Sequence, residues 1–98
     1  MITTREEAYY DVIAAMAEYA RKDAALAHRF LDALDNKIAN IELFPFSYPI
    51  KIHNEYRRAV LTNFPYSIYY KVEPDNEVVI SAVLANSIDP KIILKKII

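Results

Sequence analysis

Apolar residues recur at steps of three and four through the first half of the chain and at alternate positions through the second, which predicts helices followed by strands. Thr4 and Glu7 have capping-box spacing: the hydroxyl accepts from a free backbone N–H while the carboxylate reaches back to the cap, so a helix is predicted to start at Thr4. Tyr9, Val12, Ile13, Met16 and Ala20 form its apolar stripe, opposite Glu7, Asp11 and Glu18. Arg21 and Lys22 close it with the charge that a helix C-terminus favours. Asp23 reads as the cap of a second helix with Ala27, Phe30, Leu31, Leu34, Ile38 and Ile41 on one face, and Pro45 marks its limit. The connection is short, so the two helices are predicted to form an antiparallel hairpin over residues 4–43.

Residues 43–49, Leu-Phe-Pro-Phe-Ser-Tyr-Pro, break the helical period, because each proline removes a backbone donor and pushes its predecessor toward extended geometry. Beyond them, three segments rich in β-branched and aromatic residues, 56–63, 67–73 and 77–84, are separated by hairpin-sized turns around Pro65 and Pro74. They predict an antiparallel three-stranded meander within residues 50–85, with Ile68, Tyr70 and Val72 on one face. Val78, Ile80, Ala82 and Leu84 are predicted to share one face of the last strand. The fold class is α+β: an N-terminal helix hairpin packed in two layers on a C-terminal meander. Asp89-Pro90 ends the last strand, and residues 89–98 read as an amphipathic tail.

Composition narrows the chemistry. The 98 residues are 54% apolar and 26% charged, enough for one core, and predict a single domain over residues 1–98. The absence of glycine excludes phosphate-cradling Gly-rich loops, dinucleotide fingerprints and the Gly-x-Ser-x-Gly elbow. Without cysteine there is no disulfide, thiol nucleophile or thiolate metal site, and two histidines, His28 and His53, are too few for a His-only zinc cluster, so no metal or cofactor is expected. Asn63, Asn76 and Asn86 stand at turns or strand ends where glycine is usual, which suits Asn, the residue that best tolerates positive φ. A net charge of −1 divides into five Lys/Arg against eight Asp/Glu in residues 1–49 and seven against five in residues 50–98, far from the basic excess of most nucleic-acid binders. No apolar run approaches a membrane span, the N-terminus shows no signal-peptide pattern, and the expected location is the cytoplasm, with no membrane partner.

Residues 57–72, Arg-Arg-Ala-Val-Leu-Thr-Asn-Phe-Pro-Tyr-Ser-Ile-Tyr-Tyr-Lys-Val, carry the phrase Phe-Pro-Tyr-x-Ile-Tyr-Tyr between two strands and run on to residues 78–84 and Asp89-Pro90. Together with Glu7-Ala8-Tyr9-Tyr10-Asp11, Arg29-Phe30-Leu31 and Phe44-Pro45, they resemble the RelE/ParE superfamily of bacterial toxin-antitoxin toxins, also known from plasmid stabilisation systems. The resemblance implies a toxin held inactive by a co-expressed antitoxin whose C-terminal segment wraps over it. For ParE-type relatives it implies DNA gyrase as target; for RelE-type relatives, cleavage of mRNA on the ribosome. Relatives usually begin with a strand of about six to eight residues, whereas only Met1-Ile2-Thr3 precedes the predicted cap, so the first strand is short or absent. Ser67 stands where the RNases carry an Arg, and Ala85-Asn86-Ser87-Ile88-Asp89-Pro90 lacks the His and the second Arg of their His-x-x-Arg pattern.

In-line attack by a 2′-hydroxyl needs a base near the nucleophile and a cation near the phosphorane, and loss of one such stabiliser costs about a hundredfold to a thousandfold. The groups left for RNA cleavage are His53, Arg57, Tyr69 and Lys91. Arg57 and Arg58 point to opposite faces of a strand, and one of them is expected at the sheet margin beside Tyr56, paired with Glu55 or Glu73. Tyr70 shares the core face, whereas Tyr69 is expected on an exposed one. His28, on a helix, has no catalytic neighbour. Candidates for protein contact are Arg58, Tyr69 and the tail residues Lys91, Ile92, Ile93 and Lys95, where apolar side chains interleaved with lysines suit docking to the chain's own sheet, to an antitoxin or to a second copy as a homodimer. The favoured reading is a ParE-like toxin or toxin homologue that acts by binding a protein. The alternative is a RelE-like mRNA interferase with an atypical catalytic set, and ribosome and mRNA are the less expected partners.

Overall fold

In the computed structural model, which describes residues 1–97, the elements run β1 (Ile2–Thr4), α1 (Glu6–Lys22), α2 (Ala24–Leu43), β2 (Ile50–Ile52), β3 (Tyr56–Val60), β4 (Tyr66–Val72), β5 (Val78–Ala85) and α3 (Pro90–Ile97). Ile98, the last residue of the expected tail, lies outside the described residues. One sheet of five strands, ordered β1-β5-β4-β3-β2, takes the place of the three-stranded meander expected from sequence. The meander β3-β4-β5 forms its centre, and two strands of three residues each extend it at the margins. β1 is short but present, parallel to β5 with Ile2 opposite Val78 and Thr4 opposite Ile80.

That pairing explains where α1 begins. Thr4 is drawn into the ladder, so the capping box with Glu7 does not form; Arg5 is the residue before the helix, and its guanidinium takes the Glu7 carboxylate at 2.8 Å. Asp23 behaves as read from sequence: its carboxylate accepts from the Ala25 N–H at 2.9 Å, satisfying one orphan donor of α2. A single extended residue therefore separates the two helices of the hairpin.

The hairpin covers one face of the sheet. Ala8 and Ala15 of α1 and Phe30, Leu34 and Ile41 of α2 are buried against Ala59, Ile68, Tyr70, Val78, Ile80 and Val83. Tyr19, Phe30, Phe64 and Tyr66 pack as an aromatic cluster with ring centroids 5.2 to 6.0 Å apart, in tilted and edge-on geometries that suit ring quadrupoles. The core stripe of α1 is Ala8, Val12, Ala15, Met16 and Tyr19; Tyr9, Ile13 and Ala20, assigned to it from sequence, face outward.

Two departures reshape the second face. β5 does not keep Val78, Ile80, Ala82 and Leu84 on one side, because Tyr69 pairs with Ala82 and Tyr70 with Ile80, leaving Ser81 as an extra residue in the ladder. Such a bulge reverses the alternation, so Val78, Ile80 and Val83 join the helix-hairpin core while Ala82 and Leu84 turn to the other face. There α3 docks, burying Ile93 and Ile97 against Tyr56, Tyr69, Ala82 and Leu84. The domain thus has three layers rather than two.

The missing glycines are replaced as expected at two turns, where Asn63 and Asn76 both take φ 66°. Asn86 has no positive φ and serves through its side chain instead, while His53 and Asn54, at φ 56°, carry the β2–β3 turn.

Candidate partner-binding surface

The tail forms α3, and its two sides have different fates. Ile93 is 4% exposed and Tyr69 beneath it 3%, which corrects the expectation that both are available for contact. Tyr69 belongs to β4, the central strand, and α3 lies over that face. The end of α3 is fixed by the Ile97 carbonyl, which accepts from the Arg5 guanidinium at 3.1 Å and from the Tyr56 hydroxyl at 3.5 Å. Lys91, Ile92 and Lys95 remain on the outer side, with Ile92 51% exposed.

Arg57 and Arg58 leave β3 on opposite faces, as strand alternation requires, but neither pairs with Glu55 or Glu73. Those carboxylates hold Lys71, at 3.4 and 3.3 Å. Burial pulls the Lys71 ammonium down, but Glu73, Tyr56 and Glu55 outweigh it and raise it above its ordinary value. Arg57 turns to the hairpin side, donates to the carbonyls of Phe46 at 3.2 Å and Tyr48 at 2.6 Å, and lies 5.3 Å from the Phe46 ring. Arg58 turns to the α3 side. Its Nε donates to Ser67 Oγ at 3.0 Å and its Nη2 to Asn86 Oδ1 at 3.3 Å, while Ser67 Oγ donates to the same Asn86 oxygen at 2.5 Å. The position where RNase relatives are expected to carry an Arg is therefore a buried hydroxyl, held between a neighbouring strand's arginine and an amide.

His53 is exposed in the β2–β3 turn, and Lys91 is exposed in the first turn of α3. Arg57 and Tyr69 lie on opposite faces of the sheet, so His53, Arg57, Tyr69 and Lys91 do not converge on one point. None of them lines the open groove of about 750 Å³ between α2 and the β3–β4 turn, whose walls carry Arg29, Lys37, Asn63 and Phe64. Nor does any line the two smaller cavities of about 300 and 310 Å³ beside α1. Among the described residues no group of His, Asp and Glu is arranged to hold a metal ion, and no helix is long and apolar enough to cross a membrane.

What the sequence reading missed is apolar surface. Tyr9, Tyr10 and Ile13 stand out from α1, with Ile13 61% exposed, and Leu43, Phe44 and Phe46 are exposed where the chain leaves α2. The available signal was that α1 has more apolar positions than one helical face can bury, which leaves a second apolar stripe exposed.

The model of the family described as ParE toxin of type II toxin-antitoxin system, parDE, matches residues 5–90. Among solved structures, a chain of the chromosomal ParDE TA system from P. aeruginosa is similar in fold, with a TM-score of 0.75 and 15% identity, covering 86% of this chain and 92% of that one. Among curated proteins, none matches the chain.

Proposed function

The chain belongs to the ParE toxin family of type II toxin-antitoxin systems, and from that premise we propose that it is a toxin that acts by binding a protein and is silenced by a cognate antitoxin. Family membership implies the antitoxin partner. The observation that carries the protein-binding mode is the dispersal of the groups that RNA cleavage would need: Ser67 fills the arginine position, Arg57 is spent on the carbonyls of Phe46 and Tyr48, and Tyr69 is sealed under α3. Among the described residues, His53, Arg57, Tyr69 and Lys91 form no assembled cation and base for a phosphorane to meet. Exposed apolar surface on α1 and after α2, by contrast, is what a protein interface requires.

Half-buried Arg58, on the α3 side of β3, and the outer row of α3, Lys91, Ile92 and Lys95, offer a second contact surface on the other side of the sheet. DNA gyrase is the target that the ParE relationship suggests, the cytoplasm is the compartment in which it would be met, and the apolar faces also allow a homodimer. The test is co-expression with the product of the adjacent small gene, followed by induction of the toxin alone. Tight co-purification, growth arrest without the antitoxin and inhibited supercoiling by purified gyrase support the reading. Failure to bind that product sinks it.

A further inference from the structure

α2 sorts its charges. Both of its Lys/Arg side chains, Arg29 and Lys37, line the open groove of about 750 Å³ against the β3–β4 turn, whereas only Asp32 of its three carboxylates does. The groove is therefore cationic within a half of the chain, residues 1–49, that holds five Lys/Arg against eight Asp/Glu. Among the described residues neither cation is held by a carboxylate, since every ion pair formed engages another lysine or arginine. The Lys37 ammonium lies 5.8 Å over the Tyr48 ring instead. Unneutralised charge of one sign along a concave wall attracts a partner of the other.

The rest of the lining suits a main chain. Asn36 and Asn40 stand one turn apart on α2, and Asn63 lines the opposite wall. An Asn side chain offers donors and an acceptor, as a peptide unit does, so a row of them can hold an extended backbone. The Tyr48 hydroxyl donates to Asn40 Oδ1 at 2.7 Å, which fixes that amide and leaves its N–H groups to offer. The opposite wall is also set in advance: Asn63 takes φ 66°, and the Phe64 ring packs edge-on against Tyr19 and Phe30 at 5.2 and 5.5 Å. Along α2 the groove runs from Leu26 to Asn40, about 21 Å, which an extended chain covers with about six residues. Arg29 and Lys37 lie about 12 Å apart along the helix. Side chains on one side of an extended segment recur about every 6.8 Å, so acids four residues apart reach both cations. Asp32, between them, disfavours a third acid midway.

We propose that this groove receives an extended, acidic segment of the protein on which the toxin acts. Arg29 and Lys37 hold two carboxylates four residues apart, and Asn36, Asn40 and Asn63 hold the main chain between them. The amides supply a grip that is indifferent to side chains, and the two cations supply the preference for an acidic sequence. The inference rests on the protein-binding reading above and adds to it the chemistry of the target.

Induction of a double variant, Arg29→Glu with Lys37→Glu, tests it. The variant is expected to lose growth arrest, because it sets like charges across the contact, while still co-purifying with the product of the adjacent small gene. A double variant that arrests growth as the unaltered chain does, or that arrests growth and releases the antitoxin, overturns the assignment and leaves the toxin reading intact. If the unaltered chain arrests no growth, both fall. Should the double variant fail to fold, NMR titration of the unaltered protein with the synthetic peptide Asp-Thr-Ser-Thr-Asp-Thr decides. The amides of Arg29, Asn36, Asn40 and Asn63 are expected to shift, and not to shift with a peptide carrying Lys at both Asp positions. No shifts, or equal shifts with the two peptides, overturn the proposal.

Discussion

The Tyr70 hydroxyl donates to the Pro45 carbonyl at 2.7 Å, and this bond ties the strap leaving α2 to the central strand of the sheet. Arg57, on the neighbouring strand, grips the same strap through the carbonyls of Phe46 and Tyr48. Tyr70→Phe keeps the ring in the core but strips Pro45 of its donor. The expected loss is about 1–2 kcal/mol of stability, read by denaturant unfolding with an unchanged slope.

The same phenol makes stability sensitive to alkali. Burial pushes the Tyr70 pKa up from 10.0 to about 12, with Arg57 lowering it and Tyr48 adding to the rise. Because the folded value is the higher one, the contribution is fully present below pH 10.0 and is lost as pH rises from there toward about 12. Unfolding curves collected across that window are expected to show a loss that Tyr70→Phe reduces, the remainder coming from Lys71 and Tyr19, whose pKa values are also raised.

Ser81 holds the one described buried side-chain polar atom without a partner. Ser81→Ala removes that hydroxyl from its cavity at no loss of bonding, so the isolated protein is expected to gain up to about 1 kcal/mol. Thermal unfolding of the free variant checks this; a drop in melting temperature would mean that the hydroxyl is satisfied after all.

The two sides of α3 should respond in opposite ways. Ile93→Ala opens a cavity beneath the helix beside Tyr69 and Ala82 and is expected to cost about 2–5 kcal/mol. Ile92→Ala, on the exposed side, is expected to change stability by less than about 0.5 kcal/mol. Urea unfolding of both variants distinguishes a docked α3 from a loose tail, for which the two substitutions would be equally mild.

The parts legible in the sequence were those fixed by local chemistry. Asp23 announces α2 because a carboxylate at that position has one strong use. Asn63 and Asn76 mark tight turns because few residues other than glycine tolerate their φ. The bulge at Ser81 left no signal, since small and apolar residues run unbroken through β5 and either face accepts them. Thr4 was drawn into pairing with a strand more than seventy residues away, a non-local contact that no capping pattern reveals. The candidate site was only half readable for the same reason: Arg57 and Arg58 were assigned to opposite faces, but their partners, Phe46, Tyr48 and Asn86, are set by tertiary approach. Tyr69 looked exposed because nothing local says that α3 folds back over it.

Growth arrest by a protein-binding toxin leaves translated mRNA intact, and growth arrest by an RNase does not. Primer extension on a translated message after induction without antitoxin therefore tests the central claim most directly. With Ser67 in the arginine position, Arg57 and Tyr69 on opposite faces of the sheet, His53 in the β2–β3 turn and Lys91 on α3, no new 5′ ends are expected as growth stops. New ends appearing within translated codons, and vanishing in Arg57→Ala or His53→Ala, would contradict it.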